Sequence, residues 1–464
     1  MNKSDQSSKK NFHDETAAFD GDTSNLNVSD GDILIKNGRI ITVDPQNRII
    51  DNGAVLIKSD IIIKIGSTAE MAGLNAACVI DAKSGIVMPG LVNTHTHLPM
   101  SLFRGFADDI PLITWLNDYI FKLEEKYIQP ETVQCGTLLS CAEMLLSGTT
   151  TCCDGYFHEE SVAEAVKKSG MRAVLGQGVI DFPAPGVVEP SLNVENAANY
   201  ARRFKNRYPK ITSSIFCHSP YTCSKETLIS AKQAARDIGV LFQIHVAETK
   251  AEQEQMRQQY QTTAVKYLDD CGILDQNTLL VHTVWVTDED IEIIRQRGSS
   301  ISHNPESNMK LGSGIAPVLD FIRAGIPTGL GTDGSASNNN LDLFTEMDLA
   351  AKLHKIHRYD VGVLDVLSVV RMATIEGAKA IGLGDITGSI EIGKKADLII
   401  LDTHKPHLVP MYNPISHLVY SATGADVKDV IIDGKIVLNE RKITTLDLDS
   451  ILIKATEFAG HLIM

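Results

Sequence analysis

The chain has 464 residues, of which 43% are hydrophobic and 22% charged, and a formal net charge of −15. That length accommodates one large barrel plus a smaller unit. The acidic balance argues against nucleic acid or an anionic membrane as partner and leaves a small neutral substrate unaffected.

Residues 1–30 are rich in Ser, Asn, Asp and Lys and have no apolar segment. They read as a disordered leader, not a signal peptide. Short strands follow. Ile33–Lys36 and Ile40–Val43 flank Asn37-Gly38, a strong hairpin signal, and Ala54–Ile57 and Ile61–Lys64 flank a polar turn. From 88 to 384 apolar runs alternate with helical patterns. Strands are predicted at Thr149–Asp154, Ala173–Gly176, Ile215–His218, Phe242–His245, Leu279–His282, Ser300–His303 and Thr328–Asp333, and helices at Leu138–Leu146 and Val162–Lys168. Such alternation implies parallel strands and suits an α/β fold, the (β/α)8 TIM barrel. Near the C-terminus, Asp397–Leu401 reads as a strand and Val430–Leu438 as a hairpin around Asp433-Gly434. The β segments in 31–87 and 385–447 are expected to form one small β-sandwich subdomain built from both chain ends, with the barrel inserted between them. Residues 448–464 read as a C-terminal helix.

None of the eight cysteines forms a Cys-x-x-Cys pair. They read as reduced core thiols of a cytoplasmic protein. No apolar run reaches the ~18 residues needed to span a bilayer.

The most informative stretch is Gly90-Leu91-Val92-Asn93-Thr94-His95-Thr96-His97. In a strand, residues i and i+2 share a face, so His95 and His97 offer two imidazoles to one point. His245, His282 and Asp333 each end a further predicted strand, and the end of the strands is where a barrel of this kind carries its site. Any one of these histidines alone is ordinarily a hydrogen-bonded structural residue; their common strand-end placement points to a metal. His95, His97, His245 and Asp333 make an N3O set suited to one Zn²⁺ or Fe²⁺. Glu248, three residues past His245, is placed to take a proton from a metal-activated water and pass it to substrate. His282 either orients that water or is a fifth ligand. The fourth strand, Ser213–His218, holds no lysine that would bridge two metals, which favours one. Gly329-Leu330-Gly331-Thr332-Asp333-Gly334 fits a dinucleotide fingerprint by letter, but the following Ser335–Asn340 is a poor helix start and Asp333 would face a pyrophosphate.

These motifs resemble the amidohydrolase superfamily, and within it the 5-methylthioadenosine/S-adenosylhomocysteine deaminases. The similarity runs from about Asp32 to the C-terminus. It includes the His-x-His segment, Tyr156-Phe157-His158-Glu159-Glu160, His218-Ser219-Pro220-Tyr221, Ser302-His303-Asn304-Pro305 and Leu330–Asn339. The resemblance implies hydrolytic deamination of an adenine nucleoside to the inosine analogue and ammonia. Methylthioadenosine is the expected substrate, beside S-adenosylhomocysteine, adenosine or 5′-deoxyadenosine. It implies that His95, His97, His245 and Asp333 bind the metal, that Glu248 protonates the purine N1, and that His282 with Asp333 holds the nucleophilic water. Trp115 and Glu124 would contact the adenine and the ribose hydroxyls, and His218 would lie near the ribose. Family members that grip a distal carboxylate use arginines, whereas this chain has Gln177 and no Arg from Asp181 to Glu189. Trp115 and Glu124 also fit an ordinary helix between the first two barrel strands, with Trp115 in the core. The alternative reading is the same machinery acting on guanine, 8-oxoguanine or an s-triazine. A homo-oligomer is expected.

Overall fold

The computed structural model describes residues 31–463 except Val188; the predicted leader, 1–30, lies outside the described residues. Eight strands form the barrel: Leu91–Thr96, Thr149–Tyr156, Arg172–Val179, Ile211–Cys217, Leu241–Val246, Thr278–His282, Ser300–His303 and Thr328–Leu330. Each pairs in parallel with the next. The eighth comes round to the first through a parallel bridge between Thr96 and Asp333, whose N–H donates to the His95 carbonyl at 3.0 Å. Helices on the outer face and side chains within bury nearly every strand residue, which is why these strands read as continuous apolar runs.

The glycines of the dinucleotide-like sequence serve this closure. A Cβ on Gly331 would strike the Ser302 hydroxyl, and one on Gly329 would strike Gly377 and Thr94. The stretch after them departs from expectation: Ser335–Asn338 forms a single helical turn. Asn338 holds it by donating to the Thr332 carbonyl at 2.7 Å and to Glu346 at 2.6 Å, so tertiary hydrogen bonds override weak local propensity.

Strands from both chain ends build a separate nine-stranded mixed sheet. Ile35, Ile40, Val55 and Ile57 from one end share a core with Leu398, Ile400 and Ile431 from the other. Met88 and Pro89 still pair with Ile399 and Leu398, so the chain crosses into the barrel at Gly90. Asp433-Gly434 makes the predicted hairpin, with both residues at positive φ (55° and 69°). Asn37-Gly38 does not. Gly31–Ile41 is one strand that bulges there, with Asn37 at φ 57°. The strand is gripped by Ile49–Lys58 on one side and by Ala76–Asp81 and Ile86–Pro89 on the other, so the local turn signal yields a bulge. Arg172, at the start of the third barrel strand, ties barrel to sheet through Asp397 (2.7 Å) and Asp433 (3.0 Å). The C-terminal helix Leu448–Ile463 packs on the helix Pro130–Leu146. All eight cysteines are free, and among the described residues no helix is long and apolar enough to cross a membrane.

Candidate active site

The barrel delivers the predicted strand-end residues to one place. The ligand atoms of His95, His97, His245 and Asp333 all lie within 4.8 Å of one another. His95 Nε2 is 3.1 Å from His245 Nε2 and 3.4 Å from Asp333 Oδ1, and His97 Nε2 is 3.3 Å from the same oxygen. Three imidazoles and a carboxylate meeting at one point offer more lone pairs than the protein has protons to share, and a divalent cation satisfies that arrangement. The tautomers agree. His97 Nδ1 donates to the Gly155 carbonyl at 2.6 Å, leaving the Nε2 lone pair for the metal. Asp333 Oδ2 accepts from Ser307 (2.7 Å) and Ser337 (2.9 Å), which leaves Oδ1 facing the histidines.

Electrostatics favour ligation. Burial pushes the His95 imidazole down to about 4, so it is neutral at physiological pH. Burial opposes ionisation of Asp333, but the hydrogen bond from His95 and the neighbouring His282, His97 and His95 hold its carboxyl well below the usual range.

Glu248 and His282 stand beside this cluster, with Glu248 Oε2 3.8 Å from His282 Nε2. Glu248 Oε1 accepts from the Ser313 hydroxyl at 3.2 Å. The Glu252 carboxylate holds the backbone there, accepting the N–H groups of Ala247 (2.9 Å) and Glu248 (2.8 Å). Burial raises the Glu248 carboxyl, with His282 opposing, which suits a group that both takes and gives a proton. His282 Nδ1 donates to Asn308 Oδ1 at 2.9 Å, so its Nε2 faces the site as an acceptor. Ala247, His282, Thr283 and Asp333 have φ of 53°, 72°, 46° and 63°. Left-handed backbone costs about 1–3 kcal/mol per non-glycine residue and gathers at functional sites; here it turns the strand ends outward to aim their side chains.

Above the cluster opens a cavity of about 780 Å³, in the size range of small-molecule sites. Trp115, Glu124, His218, Glu248 and His282 all line it, with His97, His245 and Asp333 at its floor. Trp115 is at once pocket wall and core residue. It begins a π-helical turn, Trp115–Ile120, that leads into the helix Phe121–Tyr127 bearing Glu124. Glu124 is buried, accepts from the Tyr156 hydroxyl at 2.6 Å, and is pushed up to about 7 by burial. His218 Nδ1 meets the Thr222 hydroxyl at 2.9 Å, and burial lowers the ring to about 3. Gln177 turns from the cavity to accept the Glu159 N–H at 3.2 Å. Phe121, Phe157, Phe182, Pro183 and Pro185 also line the cavity.

Sequence reasoning missed the groups that hold the machinery. Ser307, Ser313, Asn308 and Glu252 belong to elements other than those of the residues they brace or, for Glu252, to the helix that follows. No spacing rule announces them.

A parallel barrel with a buried N3O set and a buried carboxylate beside it at the strand ends is the arrangement of a metal-dependent hydrolase. The chain belongs to the amidohydrolase family, whose model matches residues 86–437. It is 43% identical over 420 residues to a 5-methylthioadenosine/S-adenosylhomocysteine deaminase of Syntrophus aciditrophicus, covering 90% of this chain and 94% of the relative. It is 44% identical over 433 residues to a 5′-deoxyadenosine deaminase of Methanosarcina mazei, covering 93% and 98%. A zinc-bound crystal structure of an adenosine deaminase from Xanthomonas campestris superposes with a TM-score of 0.91 at 34% identity, covering 93% of this chain and 98% of the other. The chain is a hydrolase of this deaminase type.

Proposed function

We propose that this enzyme hydrolyses the exocyclic amine of an adenine nucleoside, giving the inosine analogue and ammonia, with 5′-methylthioadenosine preferred. 5′-Deoxyadenosine and adenosine follow, and S-adenosylhomocysteine is the poorer substrate. The observation that carries this reading is that one cavity is lined by His97, His245 and Asp333 of the ligand set, by Glu248, and by Trp115 and Glu124 together. One divalent metal per chain, Zn²⁺ before Fe²⁺, would be held by His95, His97, His245 and Asp333; bound there, it would lower the pKa of water toward ~7 and so favour attack at neutral pH.

The chain's own residues do the rest. Glu248 takes one proton of the attacking water and delivers it to the purine N1, which makes C6 electrophilic; it then carries the remaining proton of the new C6 hydroxyl to the exocyclic amine, so that the C6–N bond breaks, ammonia leaves and the C6 carbonyl forms. His282 and Asp333 orient the attacking oxygen, their other polar atoms being engaged by Asn308, Ser307 and Ser337. Trp115 gives the base an apolar wall. Glu124 accepts from the ribose hydroxyls, with Tyr156 holding one of its oxygens. His218 lies toward the ribose.

The lining of the cavity supports an uncharged 5′ substituent. Among the described residues no arginine lines the cavity; its one lysine, Lys122, is exposed and paired with Asp118 at 3.6 Å. A distal carboxylate would meet the aromatic and proline wall instead of a bidentate cation. Absorbance assays on methylthioadenosine, 5′-deoxyadenosine, adenosine, S-adenosylhomocysteine, guanine and an s-triazine test the reading. Turnover of guanine or triazine with none of the adenine nucleosides would reject it. Equal use of S-adenosylhomocysteine and methylthioadenosine would reject the preference.

A further inference from the structure

The segment that carries Trp115 and Glu124 is pinned at both ends by one ring from the far end of the chain. In the helix Leu448–Ile463, Ile451, Ala455, Phe458 and Leu462 form a buried or half-buried stripe, whereas Leu452, Ile453 and Lys454 are exposed. The stripe faces the body of the protein. From it Phe458 reaches two aromatic rings. Its centroid is 6.3 Å from Phe103 and 5.9 Å from Tyr127, the latter edge to face. The Tyr127 hydroxyl also donates to the His461 carbonyl at 3.4 Å.

Those two partners bound the cap. Phe103 closes the turn Leu98–Phe103 that leaves the ligand His97. Tyr127 closes the helix Phe121–Tyr127 that bears Glu124. Residues 104–126 therefore form a loop whose two roots share one anchor. The first part of the loop has further ties: Arg104 donates to the Asn339 carbonyl, in the loop that follows Asp333, at 2.8 Å, and Asp108 accepts from Lys310, at the end of the helix Pro305–Lys310, at 2.6 Å. Holding both roots lowers the ordering cost that substrate binding would otherwise carry.

We propose that Phe458 is a positioning residue for substrate binding: the C-terminal helix holds residues 104–127 in the conformation that turns Trp115 and Glu124 into the cavity. The identity of the substrate rests on the function proposed above; the anchoring does not.

The test compares Phe458→Ala and Phe458→Tyr with Ile451→Ala, a buried residue two turns earlier in the same helix, each in the metal-loaded protein. Amide hydrogen exchange is followed in 104–127, together with kcat and KM for methylthioadenosine. Phe458→Ala is expected to speed exchange in 104–127 by about tenfold or more, leaving the barrel strands unchanged. KM is expected to rise about 5–10-fold while kcat stays within about threefold. Phe458→Tyr restores both, and Ile451→Ala lowers Tm without moving either. If Phe458→Ala does not fold, Phe458→Leu makes the same comparison. Unchanged exchange in 104–127, or equal loosening by Ile451→Ala, overturns the proposal. Faster exchange beside a wild type that turns over no adenine nucleoside upholds the anchoring and rejects the function; normal nucleoside turnover with unmoved KM and exchange does the reverse.

Discussion

The floor of the cavity and its cap are held by different physics. The floor residues His245 and His282, with His95 beside His245, sit on barrel strands, and His97, Asp333 and Glu248 lie just past strand ends. Their backbones are fixed by parallel ladders, and their side chains by hydroxyl, amide and backbone partners on neighbouring elements. The cap residues Trp115, Phe121, Glu124 and Phe182 lie on long connections and are held by ring contacts, such as Phe121–Phe182 at 5.3 Å and Tyr127–Phe458 at 5.9 Å. The floor suits a reaction that tolerates no displacement, and the cap suits the choice of substrate, which varies among relatives named for methylthioadenosine, S-adenosylhomocysteine or 5′-deoxyadenosine. Breaking the floor should abolish chemistry on every substrate, and breaking the cap should abolish discrimination.

Metal removal carries the largest expected effect. Complete chelation should eliminate turnover of all substrates, and one equivalent of Zn²⁺ per chain should restore it. Full activity after chelation, or a requirement for two ions, contradicts the single N3O site. Glu248→Gln comes next, with kcat lowered by at least ~10²-fold on the scale of general acid–base catalysis and metal content unchanged. Near-native kcat would reduce Glu248 to a buried loop acid.

Glu124→Ala should remove roughly 2–3 kcal/mol of transition-state binding for nucleosides. Because burial lifts Glu124 to about 7, nucleoside KM should fall as pH rises through that value and the carboxylate becomes a full acceptor. Glu124→Gln should flatten that dependence; an unchanged profile places the titration elsewhere. The smallest effect is on stability. Burial holds His95 near 4 and His218 near 3, against 6.5 for a free imidazole. The unfolded chain therefore binds protons that the folded chain refuses. Stability of the chelated protein should be complete above about 6.5 and decline as pH falls toward 4. A Tm that stays flat between about pH 7 and pH 5 contradicts this.

The floor was legible in the sequence because strand periodicity fixes where side chains point. His95 and His97 share a face by spacing alone, and an apolar run ending in a polar group marks His245, His282 and Asp333 as strand-end residues. Their supports were not legible, since Ser307 on Asp333 and Asn308 on His282 are pairings that only tertiary folding creates. The left-handed turns at His282 and Thr283 carry no glycine or asparagine to announce them. Asn37-Gly38 shows the converse: a strong local turn signal is overruled when neighbouring strands hold the segment straight. The cap was half legible. Trp115 and Glu124 were visible by resemblance, while their anchoring by Phe458, hundreds of residues on, follows from no local pattern.

The division between floor and cap is tested most directly by one ratio, kcat/KM for methylthioadenosine over kcat/KM for free adenine, measured in the wild type, Glu248→Gln and Glu124→Ala. Glu248→Gln should lower both terms by the same factor and leave the ratio unchanged. Glu124→Ala should lower the nucleoside term alone and collapse the ratio. A Glu124→Ala enzyme that loses both terms equally, or a Glu248→Gln enzyme that loses only the nucleoside, would contradict the account.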